Sequence, residues 1–294
     1  MITIFAIPKS FKGHFGLIQR NAIESWSHIH PDVEIILCAD DEGTEQVAKE
    51  FGCEYIPNIK RNKYGTPLLS SAFKKASKAA KNRLLCYVNA DIILMGDLLS
   101  AVKKISFPDF LFIGMSWRLD IRFLIDFQGR SWEEKLRLII QKQGKMGEPY
   151  QLEYFIFPKK SSLINIPDFT VGRYQWDSLF VAMARKKRIP VIDGTKAVTA
   201  IHQDHDYSHI KTKGGGKYGV ETNINPKLAF KEIGYSANTY DATHVITKKG
   251  VRPALGLNYL ERRVKFLAVQ KPSTKPVIHF LENVFNILKT VLPQ

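Results

Sequence analysis

Cysteine is scarce in this chain, with three residues in 294. Cys38, Cys53 and Cys86 form no spacing pattern, which excludes a disulfide-stapled scaffold and points to reduced core thiols in a cytosolic protein. Long apolar runs are missing too. No stretch reaches the roughly 18 apolar residues a membrane span needs, so no span is expected. The opening "MITIFAIPKSF" has a short apolar run without a basic region before it, and reads as a first strand rather than a signal peptide. There is no P-loop, no Gly-X-Ser-X-Gly, no HExxH and no kinase signature, which removes the motif-borne readings of those chemistries. Internal repeats and low-complexity linkers are absent. Acidic residues are in deficit, 28 against 43 Lys and Arg, for a net charge of +15. Such a balance points to a polyanionic partner: nucleic acid, an anionic membrane face or a phosphorylated substrate.

What is present is ordinary for a globular protein: 45% apolar and 24% charged residues. The length suits one large α/β domain or two small ones. The basic residues are dispersed, with clusters at 74–81, 185–188 and 262–265 that suit either solvated helix faces or anion binding. "ITIFAI" (2–7), "DVEIILCADD" (32–41), "EYIPNI" and "RLLCYVNADIIL" read as strands. Between them, 14–29, 43–52 and 66–82 read as helices, the last with Thr66 as N-cap and Pro67 at the first helical position. This alternation predicts an open sheet with parallel neighbours. Later segments predict a helix at 97–104, a strand at 109–117, a helix at 132–143, a strand at 152–158 and a helix at 174–188. The apolar strand "AVTAI" then runs into "IHQDHDYSH" (201–209). From 226 the chain reads as helix and loop.

The informative interruption is "CYVNADIIL" (86–94), where Asn89, Ala90 and Asp91 break a buried strand. Ligands of open α/β sheets bind beyond the carboxyl ends of the strands. If the strand persists, alternation points Asn89 and Asp91 to one side. A carboxylate there can bind a divalent cation that holds a diphosphate, or can simply cap the next helix.

Four stretches, "YVNADIIL", "RNKYGTPLLSSAF", "GRYQWDSLFVAMARKKRIPVIDGT" and "VTAIHQDHDYSH", resemble nucleotide-sugar glycosyltransferases of the GT-A fold, family 2-like. They spread over roughly residues 1–210. The resemblance implies a GT-A (Rossmann-like) open mixed sheet flanked by helices over 1–225, with a mainly helical extension over 226–294. It implies Mn²⁺ or Mg²⁺ at a strand-end Asp-X-Asp motif, here Asn89, Ala90 and Asp91. With Asn89 in place of the first aspartate, Asp91 is its one charged ligand, and further ligands are needed. His202 is the first choice and His205 the second, since imidazole suits transition metals; solvated histidines in a polar turn are the alternative. The resemblance makes Asp177 in "QWDSLF" the base that takes the acceptor proton. An Asp in a first helical turn also has a structural use. The adjacent Trp176 reads as core.

Further implied donor contacts are Asp40 or Asp41 to base or ribose, Arg61 and Asn62 on the same rim, and Lys213 and Lys217 in a glycine-rich lid, "KTKGGGKYG". The expected donor is a nucleotide-diphosphate sugar, UDP-linked, and the expected acceptor a carbohydrate or lipid-linked hydroxyl. The expected setting is surface polysaccharide or glycolipid synthesis on the cytoplasmic side. Competing readings are a nucleotidyltransferase, which should carry a glycine- and basic-rich loop after the first strand, and a nucleic-acid binder. The latter should show a known module or aromatic residues interleaved with basic ones on a sheet face. Neither is found, so no nucleic-acid partner is expected. Residues 277–292 carry 10 apolar positions in 16, a helix of about 24 Å, short of a bilayer core. It either packs on the catalytic domain or a second subunit, or lies in a membrane interface.

Overall fold

The alternation of the first 94 residues builds half of a sheet. The computed structural model describes residues 1–129, 131–205, 219–230 and 234–291. Strands β1 (Ile2–Ala6), β2 (Glu34–Leu37), β3 (Glu54–Tyr55) and β4 (Leu84–Val88) run parallel in the order β3-β2-β1-β4. Helices α1 (Gly13–Ser27), α2 (Thr44–Glu50) and α3 (Leu69–Ala79) connect them. The chain next forms β5 (Ile92–Leu94), α4 (Asp97–Val102), β6 (Leu111–Gly114), β7 (Trp117–Leu119), α5 (Trp132–Gln143), β8 (Lys145–Met146) and β9 (Tyr154–Pro158). There follow α6 (Trp176–Lys186), β10 (Val191–Asp193), β11 (Ala200–Gln203), α7 (Ile224–Phe230), β12 (His244–Thr247), β13 (Gly250–Pro253), α8 (Leu257–Gln270) and α9 (Lys275–Val291).

Among the described residues the main sheet has nine strands, ordered β13-β12-β10-β6-β9-β4-β1-β2-β3. It is the open mixed sheet flanked by helices that the sequence predicts. β9 is antiparallel to both neighbours, β4 and β6. Its run Tyr154, Phe155, Ile156 and Phe157 is wholly buried, as a strand covered on both faces requires. Alternation sends Phe155 and Phe157 into the core with Phe73 and Phe180, and Tyr154 and Ile156 into the core with Trp26 and Leu98. A second sheet, β5-β11-β7-β8, packs on α5 through Ile93, Leu136 and Ile201.

Several expectations need correction. Residues 84–94 are two strands. β4 ends at Val88, and β5 pairs antiparallel with β11 in the second sheet. The break is a turn closed by the Ile92 N–H on the Asn89 carbonyl (3.1 Å). Residues 109–117 likewise divide between β6 and β7, in different sheets. Helix α3 starts at Leu69, not Thr66. The Thr66 hydroxyl donates to Glu221 (3.0 Å), and Pro67 is bridged to Arg61, so tertiary contacts hold both extended. In the third strand only Glu54 and Tyr55 pair. Beyond 226 the hairpin β12–β13 extends the main sheet, with β12 parallel to β10. These residues belong to the sheet and not to a helical extension.

The last two helices hang from this edge. α8 is tied down by Arg262 to the buried Asp241 (2.6 Å) and by the Tyr259 hydroxyl to Asp193 (2.6 Å). α9 reaches α8 through Lys289 with Glu261; on α9 Ile278 is buried, while Val277 and Phe280 stay 63% and 67% exposed. Among the described residues no helix is long and apolar enough to cross a membrane.

Candidate active site

Beyond the carboxyl ends of β1, β2 and β4 lies a cavity of about 1010 Å³, at the upper end of small-molecule sites. The β1–α1 loop contributes Ile7 to Ser10, and the break after β4 contributes Asn89, Ala90 and Asp91. The segment before β9 supplies Tyr150 to Glu153, and the entry to α6 supplies Arg173 to Ser178.

One wall carries a compact donor set. His205 Nε2 lies 3.0 Å from Asp91 Oδ2, and His202 Nε2 lies 3.8 Å from the same oxygen. One ligand atom from each residue can be chosen so that all lie within 4.8 Å of one another. The strand break explains the meeting. Leaving the main sheet at Val88 lets the chain pair with β11, and that pairing sets His202 opposite Ile92. Gln203 locks the junction, since its backbone N–H and its side-chain amide both donate to the Asp91 carbonyl (3.2 and 3.0 Å). Its side chain is completed by Ile18 and Asn21, so a buried amide is fully used.

Behind His202, Asp204 Oδ1 lies 3.6 Å from Nδ1 and is itself held by Arg118 Nε and Nη2 (2.9 and 2.6 Å). A carboxylate behind a ring nitrogen is the usual way to orient a ligating imidazole. Burial alone would raise the Asp91 carboxyl. The charge of His202 and the hydrogen bond from His205 outweigh it and hold Asp91 at about 2. Burial pulls His202 down, but Asp91, Asp204 and Glu153 together lift it to about 9. Asp91 Oδ1 is buried with no hydrogen-bond partner among the described residues. A carboxylate with one unsatisfied oxygen and two imidazoles beside the other fits a divalent cation of the Mn²⁺ type.

Asp177 lines the same cavity from the first turn of α6. Its seat is made by Trp176, which is core as expected. That ring is 5% exposed and packs edge-on against Tyr87 (5.2 Å) and against Phe155 (4.9 Å). Such contacts contribute about 0.5–1.5 kcal/mol each beyond area burial. Gln175, immediately before, has a left-handed backbone (φ +67) and lines the cavity, a conformation that costs a non-glycine residue free energy and concentrates at functional sites. Burial pushes the Asp177 carboxyl up to about 7. Backbone N–H groups, that of Ser178 foremost, pull against this, and the Glu153 carboxylate adds to it. A carboxylate poised near neutrality suits a general base.

Glu153 was not legible in the sequence. It hydrogen-bonds with Asn89 and feels His202, Asp91 and Asp177, and burial raises its own carboxyl. Its segment reads as an ordinary strand start; only the antiparallel insertion of β9 beside β4 brings it here. Lys9 was missed as well. Its backbone is clamped both ways by Gln19, and its ammonium lies 4.6 Å over the Phe15 ring, 5.0 Å from which is His205. The available signal was its place just after the first strand of a parallel sheet.

The remaining sequence candidates divide. Asn89, Ala90 and Asp41 line the cavity. Asp40 is instead taken by the backbone N–H of Asn58. Arg61 is held by Asp41 (2.6 Å) and the Gly65 carbonyl (2.9 Å). Asn62 donates to Glu221 (2.7 Å) and accepts from the N–H groups of Tyr64 and Thr66. Asp40, Arg61 and Asn62 thus brace the loop beside the cavity, and none of the three is among the residues that line it. Lys213 and Lys217 lie outside the described residues.

No protein-family model matches the chain, and no curated protein matches it. Among solved structures it is similar to glucosyl-3-phosphoglycerate synthase of Mycobacterium tuberculosis, over 80% of this chain and 81% of that chain, at 13% identity and a TM-score of 0.47. The same enzyme in complex with Mn²⁺, uridine diphosphate and glucosyl-3-phosphoglycerate matches over 80% of each chain, again at 13% and 0.47. Its uridine-diphosphate complex matches over 86% of this chain and 87% of that chain at the same two values. At such identity the chemistry of this chain has to be read from its own site.

Proposed function

We propose that this chain is a metal-dependent glycosyltransferase of the GT-A type, moving a sugar from a nucleotide-diphosphate donor to an acceptor hydroxyl. The observation that carries the reading is that Asp91, His202 and His205 share one cavity with a carboxylate poised near neutrality, Asp177. Asp91, His202 and His205 would hold Mn²⁺ or Mg²⁺, which when bound supplies positive charge to the donor diphosphate. Lys9 and Asp41 line the same cavity from the ends of β1 and β2, where the nucleotide of an open α/β sheet belongs. Asp177 takes the proton from the acceptor hydroxyl as that oxygen bonds to the anomeric carbon. The bond from that carbon to the diphosphate oxygen breaks, and its electron pair leaves with the nucleoside diphosphate. One such displacement inverts the anomeric configuration. Glu153 lines the same cavity and interacts with both Asn89 and Asp177.

The donor we infer is UDP-linked, and the setting is the synthesis of a surface polysaccharide or glycolipid. Incubation with a panel of nucleotide sugars and Mn²⁺, with release of nucleoside diphosphate as the readout, tests the reaction class. No release from any donor would end this reading.

Peripheral contact with an anionic membrane surface is part of the proposal for α9, supported by exposed Val277 and Phe280 and a net charge of +15. The protein is expected to co-sediment with phosphatidylserine vesicles, less at high salt, and to lose this on deletion of 271–294. A deletion that unfolds the protein would assign the helix to the core instead.

A further inference from the structure

The acceptor has to approach from the side of the cavity that holds its base. That side is the segment entering α6 and the facing segment before β9, and its surface is unusual. Tyr150 and Tyr174 both line the cavity, yet they are 60% and 50% exposed. Single exposed aromatic side chains need no explanation. Here two stand on the rim of one cavity, one of them three residues before Asp177.

The chain around them is pinned while the rings are left open. The Pro149 carbonyl, next to Tyr150, accepts from both the backbone N–H and the hydroxyl of Thr239 (2.8 Å each). Tyr174 sits between two anchored residues. Arg173 gives Nε and Nη2 to Glu221 (2.9 and 2.6 Å), and its carbonyl accepts from Asn225 (3.3 Å). The Gln175 amide reaches Ser236 (3.4 Å). Holding a loop rigid while exposing its rings lowers the ordering cost of binding a ligand against them.

The charge at this end narrows the ligand. Among the described residues one arginine and one lysine line the cavity. Arg173 is consumed by Glu221 in a pair whose side chains are only 14% and 8% exposed. Lys9 lies beside Phe15 and within reach of Asp91's field, at the end of β1. Among the described residues, what the cavity offers around Asp177 is two phenol rings, the amides of Gln151 and Gln175, the hydroxyls of Ser178 and Ser236, and the Glu153 carboxylate, which would repel an anion. Flat apolar faces with neutral hydrogen-bonding groups between them match a sugar ring, which has apolar C–H faces and a hydroxyl edge. They do not match a phosphorylated acid, which needs a cation.

We infer that the acceptor is a neutral saccharide whose ring stacks on Tyr150 and Tyr174, which makes these two tyrosines the specificity-determining residues of the acceptor subsite. This rests on the glycosyltransferase reading above.

The test begins with the wild-type protein, Mn²⁺ and its active donor. Disaccharides containing glucose, galactose or N-acetylglucosamine are compared with 3-phosphoglycerate as acceptors, and saturation-transfer NMR reads their binding directly. A disaccharide is expected to bind and to be glycosylated. Tyr150→Ala and Tyr174→Ala should each raise its KM about tenfold, the scale of an aromatic contact near 1.4 kcal/mol, with a smaller change in kcat. Tyr150→Phe and Tyr174→Phe should keep the wild-type KM, because the ring and not the hydroxyl makes the contact. Failure of every donor would remove the glycosyltransferase reading and this inference with it. Donor turnover stimulated by 3-phosphoglycerate and by no disaccharide would overturn the inference alone. So would alanine variants with unchanged KM, or phenylalanine variants as impaired as the alanine ones.

Discussion

Asp177→Asn is expected to lower kcat by about 10²–10⁴-fold, the range that general-base catalysis contributes. The amide keeps the shape of the carboxylate and its place on the first turn of α6, so circular dichroism and donor affinity should be unchanged. The wild-type enzyme should show the sign of the base in its pH dependence. As the proposed base, Asp177 would work only when ionised, and burial lifts its carboxyl to about 7. The kcat/KM should therefore rise with pH through about 7 and level off above it. Glu153→Gln removes a neighbouring negative charge that helps hold Asp177 up, so it should move this limb to lower pH. A substitution at 177 that weakens donor binding but spares kcat would place Asp177 elsewhere in the reaction.

Asp91→Ala is expected to abolish turnover and Mn²⁺ binding measured by titration calorimetry, while leaving the fold intact. Asp91 is the one carboxylate of the donor set, and its Oδ1 has no other partner among the described residues. His202→Ala and His205→Ala should each weaken the metal without removing the carboxylate that anchors it. Chelation of the wild-type protein should silence it, and Mn²⁺ should restore it. Full activity in chelator would sink the metal assignment and with it the role given to both histidines.

The separate parts of this site were legible in different degrees. Asp91 could be read because a carboxylate inside an apolar run is locally anomalous, and Asp177 because a charged residue opens a strongly apolar helix. His202 and His205 stood out by density, at the end of an apolar strand. Asp40, Arg61 and Asn62 looked equally promising. None of the three lines the cavity, and each meets a partner distant in the sequence: Asn58 for Asp40, Asp41 for Arg61 and Glu221 for Asn62. Glu153, Gln203, Tyr150 and Tyr174 carried no local anomaly at all.

By itself the sequence determined the parallel first half of the sheet, the helices between those strands, and the existence of a carboxylate-bearing interruption after the fourth strand. These follow from periodicity and punctuation within a few residues, and local sterics and burial suffice to enforce them. Only the tertiary structure decided that residues 84–94 divide between two sheets, that β9 inserts antiparallel between β4 and β6, and that β12 and β13 close the sheet edge. A strand's partner is chosen by backbone hydrogen bonds and packing with segments tens of residues away, and an apolar run satisfies many partners equally well. Asp91, His202 and His205 meet because β5 and β11 pair, and Asp177 shares their cavity from a helix whose Trp176 is buried against Tyr87 and Phe155.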